Sequence, residues 1–457
     1  MEKFDVLVIG SGSGMNVASN AVASGLKTAV VEFGPMGGTC LNRGCIPSKM
    51  LIYPADVISI VREAEEIGVK ATVDSIDFHK IMRRMREQVT EDSIRQARAV
   101  EATHNMKWFK DVGEFASDYT MKIENSLVKA DKIFIVSGAR PSVPPVKGLE
   151  KVNYFTSDTV LQLQTQPKTM LIIGGGYVAV EYGHFFSSIG TDVTMIQRNP
   201  RLLPEEEPEI SELIEKEMGK RLKIFTNHEV VEVREKNGVR TAVARNRGDD
   251  SVKEFSGDAL LVATGRVPNS DLLKPEKTGV KLDERGYVVV NEYLETSKKN
   301  IWAFGDAIGK EMFKHVANYE AEIAWHNAIH ERKVKADYSA APHAVFTYPQ
   351  IASVGLKEAE AREKGFKILV GRASYEDTAQ GLAMGNPKGF VKVVVEAETG
   401  KLLGGHIIGA HASILIQEII NAMASGDKTI FPIARAMHIH PAMPEVVLNA
   451  FANLREA

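Results

Sequence analysis

The 457-residue chain has only two cysteines, Cys40 and Cys45, and they lie close together. Two cysteines cannot staple a fold of this length, and no second pair exists to close a four-ligand zinc site. The chain also lacks any block of basic residues, with 25% charged residues and a formal net charge of −3. That balance argues against nucleic acid or an anionic membrane as a partner. No run of the sequence approaches the roughly 18 apolar residues of a membrane helix. The opening residues, Met1-Glu2-Lys3-Phe4-Asp5, lead into an apolar strand cut by Gly10, which is not the pattern of a signal peptide. Few cysteines and no secretory signal together predict a reducing, cytoplasmic setting.

What is present is concentrated in Gly37-Gly38-Thr39-Cys40-Leu41-Asn42-Arg43-Gly44-Cys45-Ile46-Pro47-Ser48-Lys49. A redox disulfide is the reading this pair favours over an inert one or a metal pair. Residues five apart in a regular helix are too distant for a disulfide, whose Cα atoms lie about 4.4–6.8 Å apart. Gly44 and Pro47 therefore predict an irregular first turn, with helix running from Ser48 to Ile60. A thiol at such a helix N-terminus is more easily ionised.

Two strand–glycine–helix–strand patterns follow the order of a dinucleotide site. The first runs from Phe4–Ile9 through Gly10-Ser11-Gly12-Ser13-Gly14, a helix to Ser24, and the strand Lys27–Val31 ending at Glu32. Gly10 suits the tight turn, Gly12 the close approach of a pyrophosphate, and Glu32 the ribose hydroxyls. Met15 stands where the fingerprint has its third glycine. The second runs from Thr169–Ile173 through Gly174-Gly175-Gly176-Tyr177 to the strand Asp192–Ile196, and ends at Gln197, Arg198 and Arg201. A carboxylate at that strand end favours NAD, whereas arginines accept a 2′-phosphate, so the pattern favours NADPH over NADH. Against this stands the reading of both arginines as solvated loop residues. Nicotinamide delivers a hydride and a disulfide accepts two electrons, so a flavin is expected between them.

With length suggesting about three domains, GGTCLNRGCIPSK, GGGYVAVE, ATGRVPN, AFGDA and His440-Pro441 carry a wider likeness. The whole chain resembles the class I pyridine nucleotide-disulfide oxidoreductases, the flavoprotein group of dihydrolipoamide dehydrogenase, glutathione reductase and mycothione reductase. The resemblance implies an α/β fold of two Rossmann-like dinucleotide-binding domains, for FAD and NAD(P), the second inserted in the first, plus a C-terminal α+β dimerisation domain. The expected boundaries are 1–145 and 266–338 for the FAD-binding domain, 146–265 for the NAD(P)-binding domain and 339–457 for dimerisation.

The resemblance further implies Cys45 as the flavin-side thiol, Cys40 as the thiol that meets substrate, and Lys49 paired with Glu181 near the flavin. It implies Tyr177 as an aromatic gate and Asp306 on the ribityl chain. Gly10, Gly12, Gly14, Glu32, Gly38, Thr39, Gly138, Gly174, Gly176, Gln197, Arg198, Arg201 and Gly265 complete the expected cofactor contacts. Thiol–disulfide exchange needs a proton carrier, and imidazole held by a carboxylate suits that task. His440 with Glu445 is expected in that role, His438 is expected to be structural, and no metal is expected. By resemblance, His440 serves the partner subunit's site, which makes a homodimer necessary. Ala442 departs from the usual threonine.

The missing C-terminal cysteine pair argues against mercuric and high-molecular-weight thioredoxin reductases. The expected substrate is a small-molecule disulfide or dithiol, as in mycothione reductase or dihydrolipoamide dehydrogenase, the latter with a possible multienzyme complex. A glutathione reductase-like enzyme and a non-turnover flavoprotein redox sensor are the alternatives.

Overall fold

The computed structural model describes residues 1–385 and 387–456; Asn386 and Ala457, both inside the expected C-terminal domain, lie outside the described residues. The chain divides into two compact units, one of residues 1–48, 82–142 and 265–337, the other of residues 49–81, 143–264 and 338–457.

The first unit is built on a seven-stranded sheet. Strands Met106–Phe109, Thr28–Val31, Glu2–Ile9, Ser126–Ile135 and Ile301–Ala303 run parallel in that order. Their residues form near-continuous apolar runs because helices cover the sheet. Thr120–Ile123 and Glu114–Ser117 extend it as an antiparallel hairpin from Ser126–Ile135. Val6, Leu7, Val8, Ile133, Phe134 and Ile135 are almost wholly buried and form the centre of the core. Helix Gly14–Ala23 buries Gly14, Val17, Ala18 and Ala21, all small or β-branched, which lets it lie close on the sheet.

Here the structure explains the tolerated Met15. A Cβ on Gly14 would sit 2.7 Å from Val8 Cγ1, so Gly14 serves the close helix–strand approach. Met15 is only partly buried and packs against the edge of the same core.

In the second unit, Lys223–Phe225, Asp192–Ile196, Thr169–Ile173 and Ala259–Val262 make a four-stranded parallel sheet. A three-stranded antiparallel sheet, His228–Lys236, Val239–Asn246 and Val252–Gly257, follows it in the chain. Six strands, the first Pro342–Val345 and the last Arg455–Glu456, form an antiparallel sheet covered by helices Ala412–Ala424 and Glu445–Ala452. Strands Gln350–Gly355 and Ile368–Ser374 belong to it, although the sequence pattern did not single them out.

The cysteine segment is a helix pair broken at one residue. Helix Gly38–Arg43 ends at Gly44, and helix Cys45–Glu63 starts directly after it. The second helix therefore begins three residues before the expected Ser48. Pro47 lies inside its first turn, where no intrahelical N–H is required, so proline is accommodated. A Cβ on Gly44 would lie 3.0 Å from Thr39 O, so glycine permits the close fold-back of the two segments. The helical stretch Gly38–Ile67 is, by length and composition alone, apolar enough to cross a membrane, contrary to the sequence expectation. It is broken at Gly44 and carries the ion-paired Lys49, and 39% of its apolar window is buried.

Candidate active site

Each nucleotide fingerprint places its first glycine at the carboxyl end of a central strand, where strand order reverses. Gly10 follows Ile9, which pairs with Ile135, and takes φ 111°. A Cβ there would meet Val136 O at 2.2 Å, so only glycine fits this turn. Gly12 lies against Gly38: a Cβ on Gly38 would reach Gly12 Cα at 2.7 Å. The glycine turn and the start of the cysteine segment thus share one close backbone contact. Glu32 ends the second strand, where its carboxylate accepts hydrogen bonds from Ser11 N and Oγ and from Gly34 N at 2.8–3.0 Å. Ser11 Oγ in turn accepts from Gly37 N at 2.9 Å.

These residues fit a bound dinucleotide. The first turn of helix Gly14–Ala23 carries no acidic side chain, as an N-terminus facing a pyrophosphate requires. Beside the turn, Ser137 Oγ is buried and makes no hydrogen bond to protein, leaving a polar atom for a ligand. Gly138 and Gly265 flank the paired strands Ala139–Pro141 and Arg266–Pro268. Asp306 is paired with Arg266 at 3.5 Å, and burial raises its carboxyl above the usual range against the pull of that guanidinium.

Cys40 is half-buried in the short helix that includes Thr39, and Cys45 is exposed at the start of the next. Both are thiols in this structure, and a hydrogen bond joins them. That hydrogen bond, followed by burial and the neighbouring sulfur's charge, raises the Cys40 thiol well above its ordinary value. Ionising one sulfur therefore leaves the proton on the other.

In the second unit Gly174 repeats the geometry of Gly10, with φ 128° and a Cβ position 2.2 Å from Ala263 O. Gly176 precedes helix Tyr177–Ser188, and Tyr177 opens that helix half-buried. Gln197 is buried and packs against Gly175, where an added Cβ would come within 2.8 Å of Gln197 Nε2. Arg198 is exposed, whereas Arg201 is ion-paired with Glu212 at 3.2 Å. Lys49 Nζ meets both carboxylate oxygens of Glu181 at 2.8 and 2.9 Å. Phe346 N also donates to Glu181 at 2.9 Å, and the Phe346 ring lies 4.4 Å from Lys49 Nζ. Glu181 thus accepts three hydrogen bonds from two donors, and the one from Phe346 is a support the sequence did not reveal.

Near the C-terminus His440 Nδ1 is 2.8 Å from Glu445 Oε1, and Ala442 N donates to Glu445 Oε2 at 3.0 Å. The backbone donor first, and then His440, hold the Glu445 carboxyl below its ordinary range. An ionised carboxylate only accepts, so Nδ1 carries the proton and Nε2 presents its lone pair. His438 is bound instead to Glu418 at 2.7 Å. The segment around His440 is projected into solvent, with Met437 fully exposed and Ile439 79% exposed.

Residues 4–328 match the family described as pyridine nucleotide-disulphide oxidoreductase, and residues 341–451 match that family's dimerisation domain. The chain belongs to this family. Among its relatives, mycothione reductase of Mycobacterium tuberculosis is 37% identical over 100% of both chains. Dihydrolipoyl dehydrogenase of Synechocystis is 35% identical, covering 98% of each. A solved Cu(II) complex of the HOCl-induced flavoprotein disulfide reductase RclA from Escherichia coli matches with a TM-score of 0.88 at 26% identity over 99% of both chains. The chain is an FAD-dependent disulfide oxidoreductase that uses NAD(P)H, and its dimerisation domain supports a homodimer.

Proposed function

We propose that this enzyme reduces a small-molecule disulfide with NADPH, using Cys40 and Cys45 as its redox pair and His440 with Glu445 as its acid–base pair. The observation that carries this reading is the His440–Glu445 contact of 2.8 Å, with Nε2 left as the working atom. Bound FAD supplies the conversion of a hydride into an electron pair that a disulfide can accept. Cys40, as a thiolate, attacks the substrate disulfide, and His440 takes the Cys40 proton and returns it to the departing thiolate. Cys45 then displaces the mixed disulfide at Cys40 and closes the intramolecular one. Over a full cycle, NADPH, one proton and a disulfide give NADP⁺ and two thiols.

Lys49 and Glu181 form a fixed charge pair on helices that begin at the cysteine segment and at the second fingerprint. The exposed apolar residues around His440 support a site completed by the partner subunit in a homodimer. Exposed Arg198 and a neutral Gln197 support the NADPH preference. The extent of likeness to mycothione reductase favours a mycothiol-type disulfide, with lipoamide as the second candidate. A cytoplasmic, thiol-reducing setting suits this chemistry.

A panel of mycothiol disulfide, lipoamide, glutathione disulfide and coenzyme A disulfide, run with NADPH and NADH, tests the proposal. Mycothiol disulfide with NADPH should give the highest kcat/KM. Preference for lipoamide with NAD⁺ or NADH would overturn both substrate and nucleotide choices.

A further inference from the structure

The loop between strand Asp192–Ile196 and helix Pro208–Met218 carries Gln197, Arg198 and Arg201 towards one end and Glu206 and Glu207 at the other. Its middle lies on the glycine turn of the second fingerprint. Leu203 N donates to Gly175 O at 2.8 Å, and a Cβ on Gly175 would come within 2.8 Å of both Gln197 Nε2 and Leu202 Cδ2. The two glutamates at the far end are only 5% and 2% exposed. An ionised carboxylate so deeply buried is costly unless donors answer it.

The donors come from the C-terminal sheet of the same unit. His343 Nε2 donates to Glu206 Oε1 and Ser353 Oγ to Glu206 Oε2, each at 2.6 Å. Burial acts to raise the Glu206 carboxyl, but His343 and then Ser353 outweigh it and hold the group below its ordinary range. Glu207 Oε1 accepts from Glu358 N at 2.7 Å, and Glu207 Oε2 from Lys392 Nζ at 3.2 Å. His343, Ser353 and Lys392 stand on three strands of one sheet, so these donors are fixed relative to one another. Moving the loop end would strip two buried carboxylates of their donors, which opposes any shift. None of these side chains enters the thiol chemistry, yet together they anchor the loop that bears the two arginines.

We propose that Glu206 is a positioning residue for the nucleotide: its hold on the C-terminal sheet sets the loop on the Gly175 turn so that Arg198, and more weakly Arg201, meet the 2′-phosphate of NADPH. This rests on the NADPH reading above. Arg201 shares its guanidinium with Glu212 at 3.2 Å, whereas Arg198 is exposed, so Arg198 is the main charge that the loop presents. Glu206 acts through the loop rather than on the nucleotide itself. A buried ion pair with a structural role alone would lower stability and weaken both nucleotides alike. Placement of the arginines instead confines the loss to the nucleotide that carries the 2′-phosphate.

The test is stopped-flow reduction of the flavin in anaerobic holoenzyme by NADPH and by NADH, which needs no disulfide substrate, with flavin content and melting temperature measured in parallel. Glu206→Ala should raise the NADPH concentration for half-maximal rate about fivefold, change that for NADH by less than about twofold, and leave the limiting rate in place. Glu206→Gln, which still accepts from Ser353, should restore most of the difference. Ser353→Ala, a smaller change that keeps the His343 pair, should act in the same direction and by less. With Arg198→Ala already present, Glu206→Ala should add little further loss for NADPH. Equal weakening of NADPH and NADH, or an unmoved NADPH response in both Glu206→Ala and Ser353→Ala, would overturn the role of Glu206. A preference of the wild-type protein for NADH would sink the NADPH reading itself, and this inference falls with it.

Discussion

The two glycine fingerprints use the same turn for different ends. Gly10 and Gly174 each place a would-be Cβ 2.2 Å from a carbonyl oxygen on the neighbouring strand connection, at Val136 and Ala263 respectively. Both turns follow a buried parallel strand and precede a helix without an acid in its first turn. They part at the end of the second strand. Glu32 holds three hydrogen bonds from its own glycine loop, whereas Gln197 is neutral, buried and followed by an exposed arginine. On the proposed reading, the backbone turns hold the pyrophosphates and the strand-end side chains discriminate what else each nucleotide carries. The first fingerprint also lies against the start of the helix that carries Cys40, through the close approach of Gly12 and Gly38.

Breaking the chemistry at the first region should leave the second intact. Cys45→Ser should abolish disulfide turnover, while FAD content and NADPH binding, read by absorbance and by fluorescence titration, stay near wild type. Next in size, His440→Ala should slow disulfide turnover by roughly 10²–10⁴-fold and spare the rate at which NADPH bleaches the flavin. Stopped-flow absorbance separates the two steps. If bleaching slows equally, His440 does more than move a proton.

The shared turn can be broken on either side. Gly10→Ala should cost bound FAD, whereas Gly174→Ala should leave FAD bound and raise KM for the nucleotide about tenfold or more, because each added Cβ would sit in a carbonyl oxygen at positive φ. A Gly174→Ala protein that loses FAD but binds NADPH normally would reverse the assignment of the two turns. The smallest effect is expected at the strand end. Arg198→Ala should reduce the NADPH-to-NADH ratio of kcat/KM several-fold. Arg201→Ala should do less, because that guanidinium is already shared with Glu212.

Much of this comparison is legible in sequence because it is local. A strand, a glycine turn, a helix and a strand-end residue lie within about thirty positions, so pattern alone locates both fingerprints. Thr169–Ile173 and Asp192–Ile196 coincide with the expected strands for that reason. The helix start at Cys45 is less legible, because a proline in a first turn reads as a break when it is also permitted there. Gly14 taking the packing task at Met15's neighbouring position depends on how the helix sits over Val8, which no motif encodes. Lys314 lies far along the chain from Ser13, and only the fold brings its ammonium within hydrogen-bond distance of that hydroxyl. The two donors around Glu181 include a backbone N–H from Phe346, which carries no side-chain signature at all.

The chain's two cysteines make a direct test of the redox pair possible, since every thiol counted must be one of them. Oxidised holoenzyme should be alkylated anaerobically before and after one equivalent of NADPH, and its intact mass measured. No alkyl group should be added before reduction and two after it, at Cys40 and Cys45. Bleaching of the flavin with no gain in alkyl groups would contradict the assignment of this pair as the electron carrier to substrate.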